Sequence, residues 1–252
     1  MRSARRRAVR RAWGSPAGAA IIHDAVRRGT DQPVRWVINT GSQDHRWLGN
    51  DYFQREHDAE VIAFEQTVRQ QQAFATDHLE GRLKEAVQDR LAGTEPAYAD
   101  RRLPGEEATL ALGEVRLELQ RTDAHFPGDA MAYLPEEDVA FTGDLVYVDR
   151  MLGVHPWSSV QNGYEAYQEL AALDPETVVP GHGRVSGMDR VERDTGAYYE
   201  FLVHEVGAAA EDLAPLQEVV ERHREEPAFQ HLEHYEGWHA TNVNRAYLEF
   251  QQ

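Results

Sequence analysis

Asp44 and His45 stand together in "NTGSQDHRWLGN" (Asn39–Asn50), and three further segments place a histidine or an aspartate at the end of an apolar run. These are His125 after "RLELQRTDA", Asp144 after "VAFTG" and His182 after "TVVPG". Each alone is an ordinary feature, since an aspartate after glycine is a common turn former and a lone loop histidine usually faces solvent. Together they form a histidine/carboxylate donor set, which divalent ions accept, zinc first and manganese or iron after it. The chain has no cysteine. Disulfides, thiolate nucleophiles and sulfur-held zinc or iron–sulfur centres are therefore excluded, and an ion would sit on histidine, carboxylate and water.

Such residues need strands to hold them. "QPVRWVINT" and "DAEVIAFEQT" read as buried strands separated by a short helix around "LGNDYFQRE", and Ser15-Pro16 opens a helix over "AGAAIIHDAVRRG", with a hydroxyl cap and proline in the first turn. Residues 66–91 read as a polar helix. "EATLALG" with "EVRLELQRT", and "DAMAYLP" with "EDVAFTGD", read as two hairpins turning at Leu112-Gly113-Glu114 and Pro135-Glu136-Glu137. "NGYEAYQELAAL" follows as an amphipathic helix, "ETVVPGHG" as a short strand entering a glycine turn, and the rest from Met188 as helix broken near Pro215, Pro227 and Gly237. The expectation is one layered α/β domain over residues 14–252, with C-terminal helices packed on it.

Composition narrows the function classes. The formal charge is −17. "MRSARRRAVRRA" holds six arginines and no acid, so the remainder has 26 − 6 = 20 bases against 43 acids, or −23. A body that acidic disfavours nucleic acid. No apolar run is long enough to span a membrane. Residues 1–13 read as a disordered basic tail; no apolar segment follows to make them a secretion signal, so the chain as given reads as cytoplasmic.

"AHFPGDAMAYLPEEDVAFTGDLVY", "VVPGHG" and the Asp44-His45 loop occur in the order and spacing of the metallo-β-lactamase fold hydrolases, which the chain resembles from about Gly14 to its end. The resemblance implies an αββα sandwich and a metal-dependent hydrolase. His125 matches a ligand of that family's first metal site, Asp144 the carboxylate shared by both sites, and His182 the last ligand of the second. The loop departs from the family's His-x-His-x-Asp-His pattern. In one register Asp44 and His45 match the two second-site ligands, and Thr40 and Ser42 replace the lost histidines. In the other, Gly41 and Gln43 replace the histidines, His45 stands for the aspartate and Arg46 for the last histidine. The first register is preferred, because a glycine loop absorbs one residue of slippage. It leaves Asp44, His45, Asp144 and His182 as a complete second site and predicts one zinc ion.

A further departure is that the family's strands ahead of the first helix are missing, which predicts an exposed sheet edge. Either another chain covers that edge, as in a homo-oligomer, or the natural protein starts earlier; the second is favoured.

For an enzyme, the resemblance implies a metal-activated water acting on an ester, thioester, lactone or amide. Asp44 would serve as ligand and proton acceptor, His125 as hydrogen-bond donor or acid to a small-molecule substrate, and Gln43 as a donor to a substrate oxygen. The alternative is a non-catalytic binding or scaffold protein of the same fold, with a structural metal or none. Met151, His155 and Trp157 are rim candidates, weighed equally against core packing for Trp157 and solvent for His155. His231, His234 and His239 read as surface residues, the first two one helical turn apart, and Tyr198 and Tyr199 as core.

Overall fold

The computed structural model describes residues 15–80, 91 and 93–252. The basic tail expected over residues 1–13 lies outside the described residues, as does most of the far end of the helix expected to reach Leu91. The chain divides into two compact units, residues 1–106 and 107–252. Its mixture of sheets and helices is the α/β class read from the sequence. Among the described residues no helix is long and apolar enough to cross a membrane.

The first unit opens with α1 (Pro16–Arg27), where Ser15 caps the helix by accepting the Gly18 N–H and Pro16 takes the first turn. Strand β1 (Trp36–Ile38) leads through the functional loop into α2 (Asp44–Trp47) and α3 (Asn50–His57). Strand β2 (Glu60–Phe64), helix α4 (Glu65–Glu80) and strand β3 (Arg101–Leu103) complete it. The strands form a parallel sheet in the order β1-β2-β3. Val61 and Ala63 pack with Val68 on one face, and Ala19, Phe53 and Ala59 form a second small cluster. Trp47 stacks on Tyr98 at 5.2 Å, which anchors the short α2.

The second unit is built on a five-stranded sheet in the order β4-β5-β6-β7-β8. Strands β4 (Glu107–Leu112), β5 (Val115–Arg121), β6 (Ala130–Leu134) and β7 (Val139–Tyr147) run antiparallel, as the two hairpins predicted. Helix α5 (Val160–Leu173) then crosses over so that β8 (Thr177–His182) pairs parallel to β7. Parallel pairing needs such a crossover, and it puts both strand ends on the same side of the sheet. The remainder is helical: α6 (188–211), carrying π-helical turns at Glu192–Gly196 and Leu202–Gly207, then α7 (Leu216–Arg222) and α8 (Tyr235–Phe250). One core joins the sheet to these helices through Leu145, Met151, Leu170, Tyr198 and Leu202, all essentially inaccessible.

Several expectations are corrected. Gly237 does not break a helix; it lies in the first turn of α8. His231 lies in a turn before α8 rather than one helical turn from His234, and it bonds Asp194 Oδ1 at 3.0 Å. His239 is buried in α8, between the Tyr198 hydroxyl and the His223 carbonyl. Met151 is wholly buried in the core, whereas Trp157 is 52% exposed and His155 is half-buried beside His125. The core reading of Tyr198 and Tyr199 stands.

Candidate metal centre

In the first unit the functional loop is pinned from beneath by amides. Asn39 and Asn50 exchange reciprocal side-chain hydrogen bonds, both at 2.9 Å, and Gln71 donates to Asn39 Oδ1 and to the Gly41 carbonyl. Asn50 also donates to the Ala97 carbonyl. All three are buried, and these bonds satisfy the Asn39 and Asn50 amides and the Gln71 amide nitrogen, leaving Gln71 Oε1 without a partner among the described residues. Gln43 caps α2 with extended backbone, and Asp44 and His45 form its first turn. Asp44 Oδ1 accepts both the backbone N–H and ring Nδ1–H of His45, the latter at 2.9 Å. A carboxylate on Nδ1 fixes the imidazole with its lone pair on Nε2, which is the usual support of a metal-ligating histidine.

In the second unit Asp144 lies within β7, three residues before its end, rather than after it as the sequence suggested. The pairing of β7 with β8 shifts register on either side of Gly143, which takes a left-handed φ of 54°. That irregularity brings Asp144 beside the last residue of β8, His182: Nε2 and Asp144 Oδ1 lie 3.2 Å apart. The glycines of "VVPGHG" are steric requirements. A Cβ on Gly181 would overlap the Gly143 carbonyl and the Asp144 carboxylate, and Gly183 has a φ of 105° with its backbone pressed against Val148.

His125 is held by a tight turn in which Asp129 accepts the Phe126 N–H at 2.7 Å. Its Nδ1 donates to the Gly153 carbonyl at 2.7 Å, and its Nε2 faces the Tyr147 hydroxyl at 3.3 Å. Burial pushes the His125 pKa down to about 4 against the opposing charge of Asp144, with His155 and His182 adding to the depression. The ring is therefore neutral at pH 7, with its lone pair on Nε2. His155 packs on it at 4.7 Å and is itself lowered by burial and by Arg245.

Tyr147 and Arg150 escaped the sequence reading. Tyr147 is buried, with its ring 4.6 Å from that of His182. Arg150 donates to His182 Nδ1 at 3.0 Å, and its guanidinium lies 4.8 Å over Trp238 and 5.7 Å over Tyr147. The period-two pattern of "DLVYV" followed by Asp149-Arg150 was a signal for neither, because Tyr147 reads equally well as core.

The donor chemistry discriminates between the two metal sites. Asp144 and His182 offer an oxygen and a nitrogen separated by 3.2 Å, close to the roughly 3.3 Å that two ligands of a tetrahedral zinc subtend at ~2.0–2.1 Å bonds. This pair fits a divalent ion. The first site does not fit: Thr40 and Ser42, or Gly41 and Gln43, offer no normal zinc donor.

Residues 13–182 match the metallo-beta-lactamase superfamily. The chain belongs to that superfamily. Among curated superfamily relatives it is 28% identical over 121 residues to the acyl-coenzyme A thioesterase MBLAC2 of Gallus gallus, covering 46% of this chain and 44% of that one. It is 32% identical over 114 residues to the hydroxyacylglutathione hydrolase of Mesorhizobium japonicum, covering 41% and 42%. The chain thus spans less than half the length of the curated relatives it matches. The fold is shared with the sec-alkylsulfatase Pisa1 from Pseudomonas sp., at TM-score 0.68 and 18% identity over 92% of this chain and 44% of that one. It is shared also with the metallo-beta-lactamase from Pontibacter korlensis, at TM-score 0.58 and 20% identity over 75% and 79%. Superfamily membership makes the histidine/carboxylate donor set a candidate metal centre, as the residue types suggested.

Proposed function

We propose that the chain is a metal-dependent hydrolase that uses one ion, zinc first, on an ester, thioester, lactone or amide. The observation that carries this reading is the pair at 3.2 Å between Asp144, buried within β7, and the part-exposed His182 at the end of β8. Asp144 and His182 would hold the ion, and the resemblance assigns His45 and Asp44 of the functional loop to the remaining second-site positions, Asp44 as ligand or as the group that orients His45. When bound there, the ion would supply a water ionised near neutral pH and would polarise the electrophile.

The chain's own residues do the rest. Asp44, a carboxylate on the imidazole it orients, can take a proton. His125, neutral with its lone pair on Nε2, accepts a hydrogen bond and is a poor acid at pH 7, so its part is to hold the Tyr147 hydroxyl or a substrate donor. Gln43, at the head of α2, supplies an amide donor to a substrate oxygen. The two curated relatives are named for thioester substrates, so acyl-coenzyme A and hydroxyacylglutathione thioesters are the first substrates to try.

A second reading, a non-catalytic binding protein of the same fold, is favoured by one observation: the Arg150 guanidinium occupies Nδ1 of His182, an arrangement a metal-free protein would keep. Metal content per chain, by plasma mass spectrometry on protein offered zinc, manganese and iron, separates the two. About one tightly held ion, lost in Asp144→Ala and His182→Ala, together with thioester or ester turnover, supports the hydrolase. No ion in a folded chain overturns it.

A further inference from the structure

A second group of imidazoles lies wholly within the first unit and takes no part in the chemistry above. His23 of α1 and His57, the last residue of α3, bring their rings to a centroid separation of 3.9 Å with 53° between the planes. Tyr52 sits 5.0 Å from the His57 ring and places its hydroxyl 3.2 Å from His23 Nδ1. Both histidines are partly buried. His57 Nε2 is fully buried and has no hydrogen-bond partner among the described residues.

This is a poor way to pack two helices unless something joins the rings. Protonated, the two imidazoles would repel each other. Neutral, they leave a buried ring nitrogen unsatisfied, where an aliphatic pair would leave none. Burial lowers the His23 pKa, His57 and Arg27 lower it further, and Asp24 opposes them, so the ring presents a lone pair at neutral pH. In the tautomer in which the Tyr52 oxygen accepts from Nδ1–H of His23, that lone pair is on Nε2. Negative charge is at hand, since Asp24 and Glu56 both act on the Tyr52 hydroxyl.

We propose that His23 and His57 form a two-imidazole site for a borderline divalent transition-metal ion, clipping α1 to α3. Imidazole pairs select copper and zinc over magnesium or calcium, and affinity for the divalent series peaks at copper. Water would complete the coordination. The site is independent of Asp144 and His182, so it stands or falls separately from the hydrolase reading.

The test is a Cu²⁺ titration of the full chain at neutral pH, followed by the histidine ring resonances. Paramagnetic broadening of His23 and His57 by the first one to two equivalents, with little effect from Mg²⁺, is expected. Equilibrium dialysis should show one ion fewer per chain in the His23→Gln/His57→Gln variant, with its fold checked by circular dichroism. Ring signals of His23 and His57 that persist while other histidines broaden would overturn the proposal, and that measurement needs no variant. An unchanged ion count in a folded variant would overturn it equally.

Discussion

Arg150 donates a hydrogen bond from Nη1 to Nδ1 of His182 at 3.0 Å. An arginine cannot accept, so His182 in this state carries its proton on Nε2 and points it at Asp144 Oδ1. An ion ligated through Nε2 needs the opposite tautomer and a neighbour less positive than a guanidinium. Arg150→Gln removes the charge and can accept from Nδ1–H. Supporting partners of this kind change metal affinity by roughly 10–100-fold. The variant is expected to bind zinc about tenfold more tightly than wild type, read by competition with a chelating indicator. Equal or weaker binding would mean that Arg150 supports the ion rather than competes with it.

The approach of β8 to β7 at Gly181 is as specific. Any Cβ there overlaps the Gly143 carbonyl and the Asp144 carboxylate, so Gly181→Ala must push the strands apart where the pair is made. We expect metal uptake to fall by at least tenfold while most of the sheet survives, because the register of β7 with β8 from Val139 to Phe141 lies upstream of the clash. Metal content alongside far-ultraviolet circular dichroism distinguishes this from global unfolding.

The sequence was informative where local rules act alone. Ser15-Pro16, the turns at Gly113 and Glu136, and the alternation of "EVRLELQ" describe short-range chemistry, and those elements appear where expected. It was silent where tertiary contacts decide. Nothing local shows that β7 continues past Asp144 to Tyr147, because that depends on the shifted pairing with β8. Nor does spacing reveal that His231 and His239 are engaged by Asp194, Tyr198 and His223, residues up to 41 positions away. The candidate donors Asp44, His45, His125, Asp144 and His182 were picked out by residue type alone. Their hydrogen-bond partners, Gly153, Tyr147 and Arg150, were not, because partners are chosen by the fold rather than by spacing.

The amide pair beneath the functional loop gives a stability prediction. In Asn50→Ala, buried Asn39 loses its reciprocal partner while keeping the longer bonds to Gln71 and the Arg46 carbonyl, and the Ala97 carbonyl loses its donor in a part-buried setting. Leaving buried polar groups unsatisfied costs about 1–3 kcal/mol, so chemical denaturation should show a loss of that size. Asn50→Asp, which keeps an acceptor and adds an unpaired buried charge, should be at least as damaging. A change below about 0.5 kcal/mol in Asn50→Ala would show that the loop is not held by this clamp.

Asp194 supplies the pH prediction. Its side chain is fully buried in the middle of the π-helical turn Glu192–Gly196. Burial pushes its pKa up, but the Asp149 N–H at 2.7 Å, His231 at 3.0 Å and Arg193 outweigh burial and hold it below the ordinary 3.8. A carboxyl depressed on folding contributes stability that is present above the unfolded pKa and is lost as pH falls through the folded value. Asp194 should therefore stabilise the fold fully at about pH 5 and above, and its contribution should start to shrink near about pH 4 and be lost as pH falls on through the lower folded value. Asp194→Asn should cost on the order of 1–3 kcal/mol at pH 7, discounted because Arg193 and His231 are part-exposed. The gap between wild type and variant, followed by urea denaturation from pH 7 to pH 3, should narrow on the acid side. A constant gap across that range would show that the carboxylate's charge is not what holds the Asp149 turn against α6.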